Sequence, residues 1–248
     1  MGNHRRRSEH PIRLLPEQPT QRKVWDDRRR RRGRRPIGRG RIVYARSTTV
    51  LAHLESIDAG VAHIRNEVMP TLLAINGCIG LSMLADRHTG RCIATSAWRT
   101  REAMLASERQ LRPVRDHAAE ILGNRPQVDE WEIAVLHRDH TSAPGACVRA
   151  SWMRMAPEQA DRVVDVYRMA LLPVMADYHG FCSASLLVDR ASGLAVSSVT
   201  YDAPESMQHN RKKADALREA GAREAGVEIV EVCEFDLALA HLRVPEMA

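Results

Sequence analysis

INGCIGLSMLADRHTGRCIATSAW, residues 75–98, and YHGFCSASLLVDRASGLAVSSVTY, residues 178–201, are one passage written twice. Each reads as a strand, a turn and a second strand. Gly77 maps to Gly180, Asp86-Arg87 to Asp189-Arg190, Gly90 to Gly193 and Trp98 to Tyr201, always 103 residues apart. The same offset runs outward to Pro70 and Pro173, Glu102 and Glu205, and Met104 and Met207. A unit of about a hundred residues has been duplicated, and the architecture follows from that.

The flanking segments repeat as well. Ile57, Val61, Ile64, Val68, Leu72 and Ile75 form one helical stripe, and Ala160, Val164, Tyr167, Leu171, Met175 and Tyr178 form its copy. Pro70 and Pro173 fall inside these helices, where a kink or early break is expected. Gly77 and Gly180 follow, where a helix end takes positive φ. After the hairpin, Thr100 can cap a helix over 101–122, and Asp202 can cap its copy with Pro204 in the first turn. Strands before and after complete each copy: 43–50 and 129–137 in the first, 227–239 closing the second. Each copy is β-α-β-β-α-β, the ferredoxin-like unit. The expected fold is α+β, with ferredoxin-like units over 42–140 and 146–240 joined by the polar linker RDHTSAPG (138–145).

The net charge of +6 misleads, because residues 1–41 alone carry +11 and leave −5 on 42–248. The run RRRRRGRRPIGRGR (28–41) predicts a disordered basic arm over 1–41. Three readings stay open for it. It is a nucleic-acid-binding arm, a targeting peptide, or sequence upstream of a native start at Val43. No stretch reaches the length of apolar sequence that a membrane helix needs. Five cysteines without C-x-x-C spacing place the chain in the reducing cytoplasm.

A turn centred near His88 puts Cys92 opposite Leu84. On that register Ile79, Leu81, Met83 and Ala85 share a face with Ile93, Thr95 and Ala97 and meet the helices. Cys78, Gly80, Ser82 and Leu84 then travel with Cys92, Ala94, Ser96 and Trp98 on a small, mildly polar face. In the second copy Phe181, Ser183, Ser185 and Leu187 go with Ala195, Ser197 and Tyr201. That second face is a sheet-packing surface or a cavity wall.

The run from Pro70 through N-G-C-I-G, L-x-x-D-R and A-W-x-x-x-E-A-M resembles the antibiotic-biosynthesis-monooxygenase (ABM) type of dimeric α+β barrel. The match covers about sixty residues of the first copy and is weaker in the second, where Tyr201 and Glu205-Ser206 replace Trp and Glu-Ala. From Val43 onward the chain is similar to tandem mycobacterial proteins of this type. The resemblance implies a pseudo-dimer closing one barrel within one chain, with further homo-oligomerisation open. It implies pockets between sheet and helices. It also implies cofactor-free oxygenation of an electron-rich aromatic, or haem degradation.

Trp98 is the residue the resemblance places beside the pocket, against the ordinary reading of a core Trp at a strand end. Haem-degrading members carry a His in the following helix and an Asn in the first strand. Here Ser107 and Glu108 stand in that helix, and Arg46-Ser47 or Ala150-Ser151 in the strands. His209 and Asn210 lie at the right distance in the second copy, but with Tyr201 for the Trp. Arg46, a charge in a strand, needs a carboxylate partner, a pocket or solvent. The catalytic candidates are therefore Trp98, Arg46, Tyr201 and His209. His137-Arg138-Asp139-His140 shows no third metal ligand and reads as solvated linker, so no metal or cofactor is expected. Phosphate-binding glycine motifs are absent. The expected partner is a small molecule, with no membrane, and nucleic acid only through the arm. Two functions stand level: an ABM-like monooxygenase, and a non-catalytic ligand-binding or stress-associated barrel.

Overall fold

A computed structural model describes residues 42–247. The arm expected over 1–41, with its nucleic-acid, targeting and start-site readings, lies outside the described residues. The first copy runs β1 (Val43–Leu51), α1 (57–73), β2 (Cys78–Ala85), β3 (Arg91–Trp98), α2 (Arg101–Ala106), α3 (Glu108–Leu122) and β4 (Gln127–Arg138). The second repeats it: β5 (Cys147–Arg154), α4 (160–175), β6 (Phe181–Asp189), β7 (Leu194–Tyr201), α5 (Pro204–His209), α6 (Arg211–Ala225) and β8 (Glu228–Leu242). Among the described residues no helix is long and apolar enough to cross a membrane.

The prolines widen their helices and do not break them. In α1 the segment Ile64–Val68 is a π turn, with Met69 N–H donating to Ile64 O, and in α4 Tyr167–Leu171 does the same. The wide turn moves the carbonyl away from the ring of Pro70 or Pro173, with which it would otherwise clash. The long helix expected over 101–122 instead breaks at Ser107, whose buried Oγ donates to Met104 O at 2.7 Å. Thr100 caps α2 by accepting from Ala103 N–H. Asp202 does not cap α5: the cap position is Ala203, and Asp202 is engaged elsewhere.

All eight strands close one antiparallel barrel in the order β1-β3-β2-β8-β5-β7-β6-β4. Within it β4-β1-β3-β2 and β8-β5-β7-β6 each keep the ferredoxin-like order. The two sheets face each other across the interior, and their edges also join through β2 with β8 and β4 with β6. Closure leaves no unpaired edge to recruit another strand.

The duplicated Asp-Arg of the hairpins serves this closure. Asp86 and Asp189 tie their own turns, accepting from His88 N–H at 2.8 Å and from Ala191 N–H at 3.0 Å. Arg87 then reaches Asp58 of its own helix at 2.7 Å and Asp236 of β8 at 3.2 Å. Arg190 reaches Asp161 at 2.8 Å and Glu132 of β4 at 2.7 Å. Each copy thus grips the closing strand of the other. Gly90 and Gly193 sit at φ +81° and +70°, and a Cβ on either would strike the carbonyl oxygen of Ala52 or Met155.

The hairpin register differs from the expected one by a single residue. Asp86 N–H donates to Arg91 O, so Cys92 lies opposite Ala85 and not Leu84. Such a slip exchanges the faces of an entire strand. Leu81, Met83 and Ala85 therefore share the helix side with Cys92, Ala94, Ser96 and Trp98, while Ser82 and Leu84 join Ile93, Thr95 and Ala97 inside the barrel. In the second copy Ser183, Ser185 and Leu187 face the interior with Val196, Ser198 and Thr200, apart from Ala195, Ser197 and Tyr201. Three cores result: one under the helices of each copy, and one inside the barrel around Trp131, Ile133 and Phe235.

Candidate functional site

Each copy holds a cavity of about 70 Å³ between its helices and its sheet. The two are equivalent under the repeat. Arg46, Val68, Leu72, Ala94 and Arg115 line the first, and Arg149, Leu171, Met175, Ser197 and Arg218 line the second at the same places. Both π turns contribute walls. Neither cavity has a histidine or a carboxylate among its lining residues. The walls offer haem no axial imidazole, and a cavity of about 70 Å³ does not fit a macrocycle of that size.

Two larger cavities, of about 230 and 180 Å³, lie inside the barrel and share Leu84, Thr95, Leu187 and Ser198. Their small hydroxyl-bearing walls take only the β2 and β6 half of the mildly polar face expected from the sequence, Ser82, Leu84, Ser183, Ser185 and Leu187, joined by Thr95, Ser198 and Thr200 in place of Ser96, Ser197 and Tyr201. Their charged lining residues are Arg138 in the larger and Arg91 with Asp129 in the smaller.

Arg46 is 4 % exposed, with Nη2 2.8 Å from Glu130 and Nη1 3.0 Å from Glu108. It thus has carboxylate partners and a place in a cavity wall, not the solvent or edge position left open. Glu108 also holds Arg115 at 2.8 Å, and that hydrogen bond, with the neighbouring arginine charges, keeps its carboxyl below the usual range. Arg149, the copy of Arg46, is 5 % exposed and pairs with Glu234 at 2.7 Å. The signal for it was present: a strand arginine recurring at the repeat offset.

Trp98 is 0 % exposed, donates Nε1–H to Ser96 Oγ at 3.0 Å, and does not line the cavity beside it. Tyr201, its counterpart, does line the second cavity, and burial pushes its phenol up to about 12. Two more tyrosines stand there in place of isoleucines. Tyr167 accepts from Ser197 and donates to Ser185 O, and burial pushes both it and Tyr178 up. In the first cavity the corresponding hydroxyls are missing, and burial pushes the Cys92 thiol up to about 11. His209 is exposed, edge-on to His179 with ring centroids 5.6 Å apart, and belongs to neither cavity. Asn210 is buried but spends its amide on His179 O and Ser206 O.

The sequence reading found no third ligand near His140, and the fold supplies two. His140 Nε2 lies 2.8 Å from Asp202 Oδ1, and Cys182 Sγ donates to the same oxygen at 3.0 Å. Cys182 and Asp202 come from β6 and the end of β7, invisible to local spacing. These three side chains could hold a metal, yet they already satisfy one another, and burial pushes the Cys182 thiol up to about 12. All five cysteines are free.

No family model matches the chain. The Mycobacterium tuberculosis uncharacterised protein Rv2557 is 56% identical over 213 residues, which span 86% of this chain and 95% of that one. Rv2558 from the same organism is 53% identical over 211 residues, 85% of this chain and 89% of that one. Among solved structures, a candidate monooxygenase from Fusobacterium nucleatum superposes with a TM-score of 0.63 at 10% identity, over 82% of this chain and 95% of that one. One from Lactobacillus acidophilus gives 0.61 at 9% identity, over 82% and 97%. An anthrone oxidase-like protein gives 0.59 at 12% identity, over 82% and 93%. At such identities the structural likeness establishes the ABM-type fold alone.

Proposed function

We propose that this chain, which belongs to the family of the M. tuberculosis proteins Rv2557 and Rv2558, is a small-molecule-binding barrel with one apolar site under the helices of each copy. The observation that carries this reading is the pair of partly open cavities, repeated at equivalent positions and lined mainly by aliphatic side chains. Concave, mostly apolar pockets with a few placed polar groups are the usual form of a small-molecule site. The ligand is aromatic or aliphatic and small, and it enters by displacing flexible side chains such as Leu171 and Leu217.

A second reading, oxygenation of an electron-rich aromatic without a cofactor, draws on the fold shared with the monooxygenase-like structures. Its substrate would supply the electrons and would have to lose a proton. The cavities speak for binding over that chemistry. A general base works best with a pKa near the operating pH, and the ionisable groups of the walls are arginines together with a thiol and phenols that burial pushes up.

One experiment separates the two. Purified protein is incubated with 4-ethylbenzyl alcohol and with a panel of hydroxyquinols, and thermal stability and oxygen uptake are followed together. A ligand at a hundredfold excess over its dissociation constant adds about 2.7 kcal/mol to the native state. Stabilisation without oxygen uptake supports the binding reading. Oxygen uptake with product establishes the second reading. Neither effect refutes both.

A further inference from the structure

The two cavities have diverged around one buried guanidinium. In the first copy Arg46 meets two carboxylates, Glu130 at 2.8 Å and Glu108 at 3.0 Å. In the second, the residue at the Glu108 position is Arg211. Arg149 is left with Glu234 alone, and it shares Oε1 of that carboxylate with Arg211, at 2.7 and 2.8 Å. Arg149 gives Glu234 its Nε and Nη2, and its Nη1 is buried without a partner. In the first cavity Arg46 Nε and Nη1 and Arg115 Nε also lack hydrogen bonds, but there the Glu108 carboxylate lies 3.0 Å from Arg46 Nη1 and 2.8 Å from Arg115 Nη2, whereas the Arg149 guanidinium has Glu234 as its one carboxylate among the described residues.

A second orphan lies in the same cavity. Tyr178, 7 % exposed, replaces Ile75 of the first copy, and its buried hydroxyl has no partner. Arg149 and Arg218 line the same cavity as this phenol. A buried donor without a partner is costly, by about 1–3 kcal/mol and more when charged. Two such donors lining one cavity, from residues 29 apart in sequence and on different elements, point to a group they both serve. That group must accept hydrogen bonds and welcome positive charge, and its remainder must suit walls such as Val163, Leu171, Met175 and Leu217.

We propose that the cavity of the second copy binds a small organic carboxylate, its anionic end on Arg149 Nη1 and the Tyr178 hydroxyl and its apolar body beneath α4 and α6. The carboxylate takes the place that Glu108 fills in the first copy, so the first cavity suits neutral ligands and the second acidic ones. This rests on the binding reading above and adds ligand class and location to it.

The test compares 4-ethylbenzoate with 4-ethylbenzyl alcohol, which have the same apolar body, by calorimetric titration of the full chain. Charge-assisted hydrogen bonds predict that the carboxylate binds at least about tenfold tighter than the alcohol. Arg149→Met removes that preference, and Glu234 keeps Arg211 as a partner in this variant. Tyr178→Phe, the milder change, weakens carboxylate binding about threefold to tenfold and alters alcohol binding by less than about threefold. Ala225→Leu, which installs the side chain that Leu122 provides in the first copy, fills the cavity and abolishes the preference. Alcohol binding without carboxylate preference, or a preference untouched by Tyr178→Phe and Ala225→Leu, overturns the inference and leaves the binding reading standing. Binding of neither probe overturns both.

Discussion

Arg190 and Glu132 give the clearest test of how the duplicated hairpins hold the barrel shut. Nε of Arg190 lies 2.7 Å from Glu132 Oε2, and Nη2 lies 3.3 Å from Oε1, a two-pronged contact across the β4–β6 seam. The Glu132 side chain is 19 % exposed and that of Arg190 41 %. Two unit charges centred about 4 Å apart attract by about 4 kcal/mol at an effective dielectric constant near 20. Arg190 is more than a third exposed, so solvent screening and side-chain ordering cut this to about 1 kcal/mol, the upper end for surface pairs. The pseudo-symmetric pair is weaker by construction. Arg87 meets Asp236 through one contact at 3.2 Å, with side chains 47 % and 56 % exposed, and should couple by about 0–0.3 kcal/mol. Two double-mutant cycles measure this, Arg190→Met with Glu132→Gln and Arg87→Met with Asp236→Asn, read by urea unfolding followed by circular dichroism. Arg190 also touches Asp161, and Arg87 also touches Asp58. Those losses occur in both legs of each cycle and cancel. The coupling at Arg190 should fall in about 1 M salt, where the Debye length is about 3 Å. A coupling at Arg87 equal to or larger than that at Arg190 would refute the reasoning.

Two further outcomes follow from the same contacts. Glu108 has a folded-state pKa held down by Arg115, Arg46 and Arg112, so its contribution to stability is present above its unfolded pKa of about 4.3 and is lost as pH falls through the lower folded value; Glu108→Gln should flatten the acid limb of a stability–pH curve in that window. Trp98→Ala should cost about 3–5 kcal/mol in urea unfolding, as for a wholly buried aromatic, while Tyr201→Phe should leave stability nearly unchanged and alter ligand affinity, and equal behaviour of the two would contradict their placement in core and cavity wall.

The duplication, the element order of each copy and the turn glycines were legible in the chain, because they rest on short-range chemistry. A helical stripe, a proline or a glycine at positive φ is decided within a few residues, and the repeat doubled the weight of each sign. Arg46 with Arg149 and Ile75 with Tyr178 were also there to be compared across the repeat. Which groups they meet was not. Glu130, Glu234 and Glu108 reach them only through strand pairing and helix docking, as Cys182 and Asp202 reach His140. The hairpin faces turned on whether four or five residues make the turn, and a one-residue difference reverses a strand of period two. The seams β2–β8 and β4–β6 join strands whose pairing no local pattern encodes. Backbone hydrogen bonds are blind to side-chain identity, so edges find their partners only once both sheets exist and the curvature of the barrel brings them together.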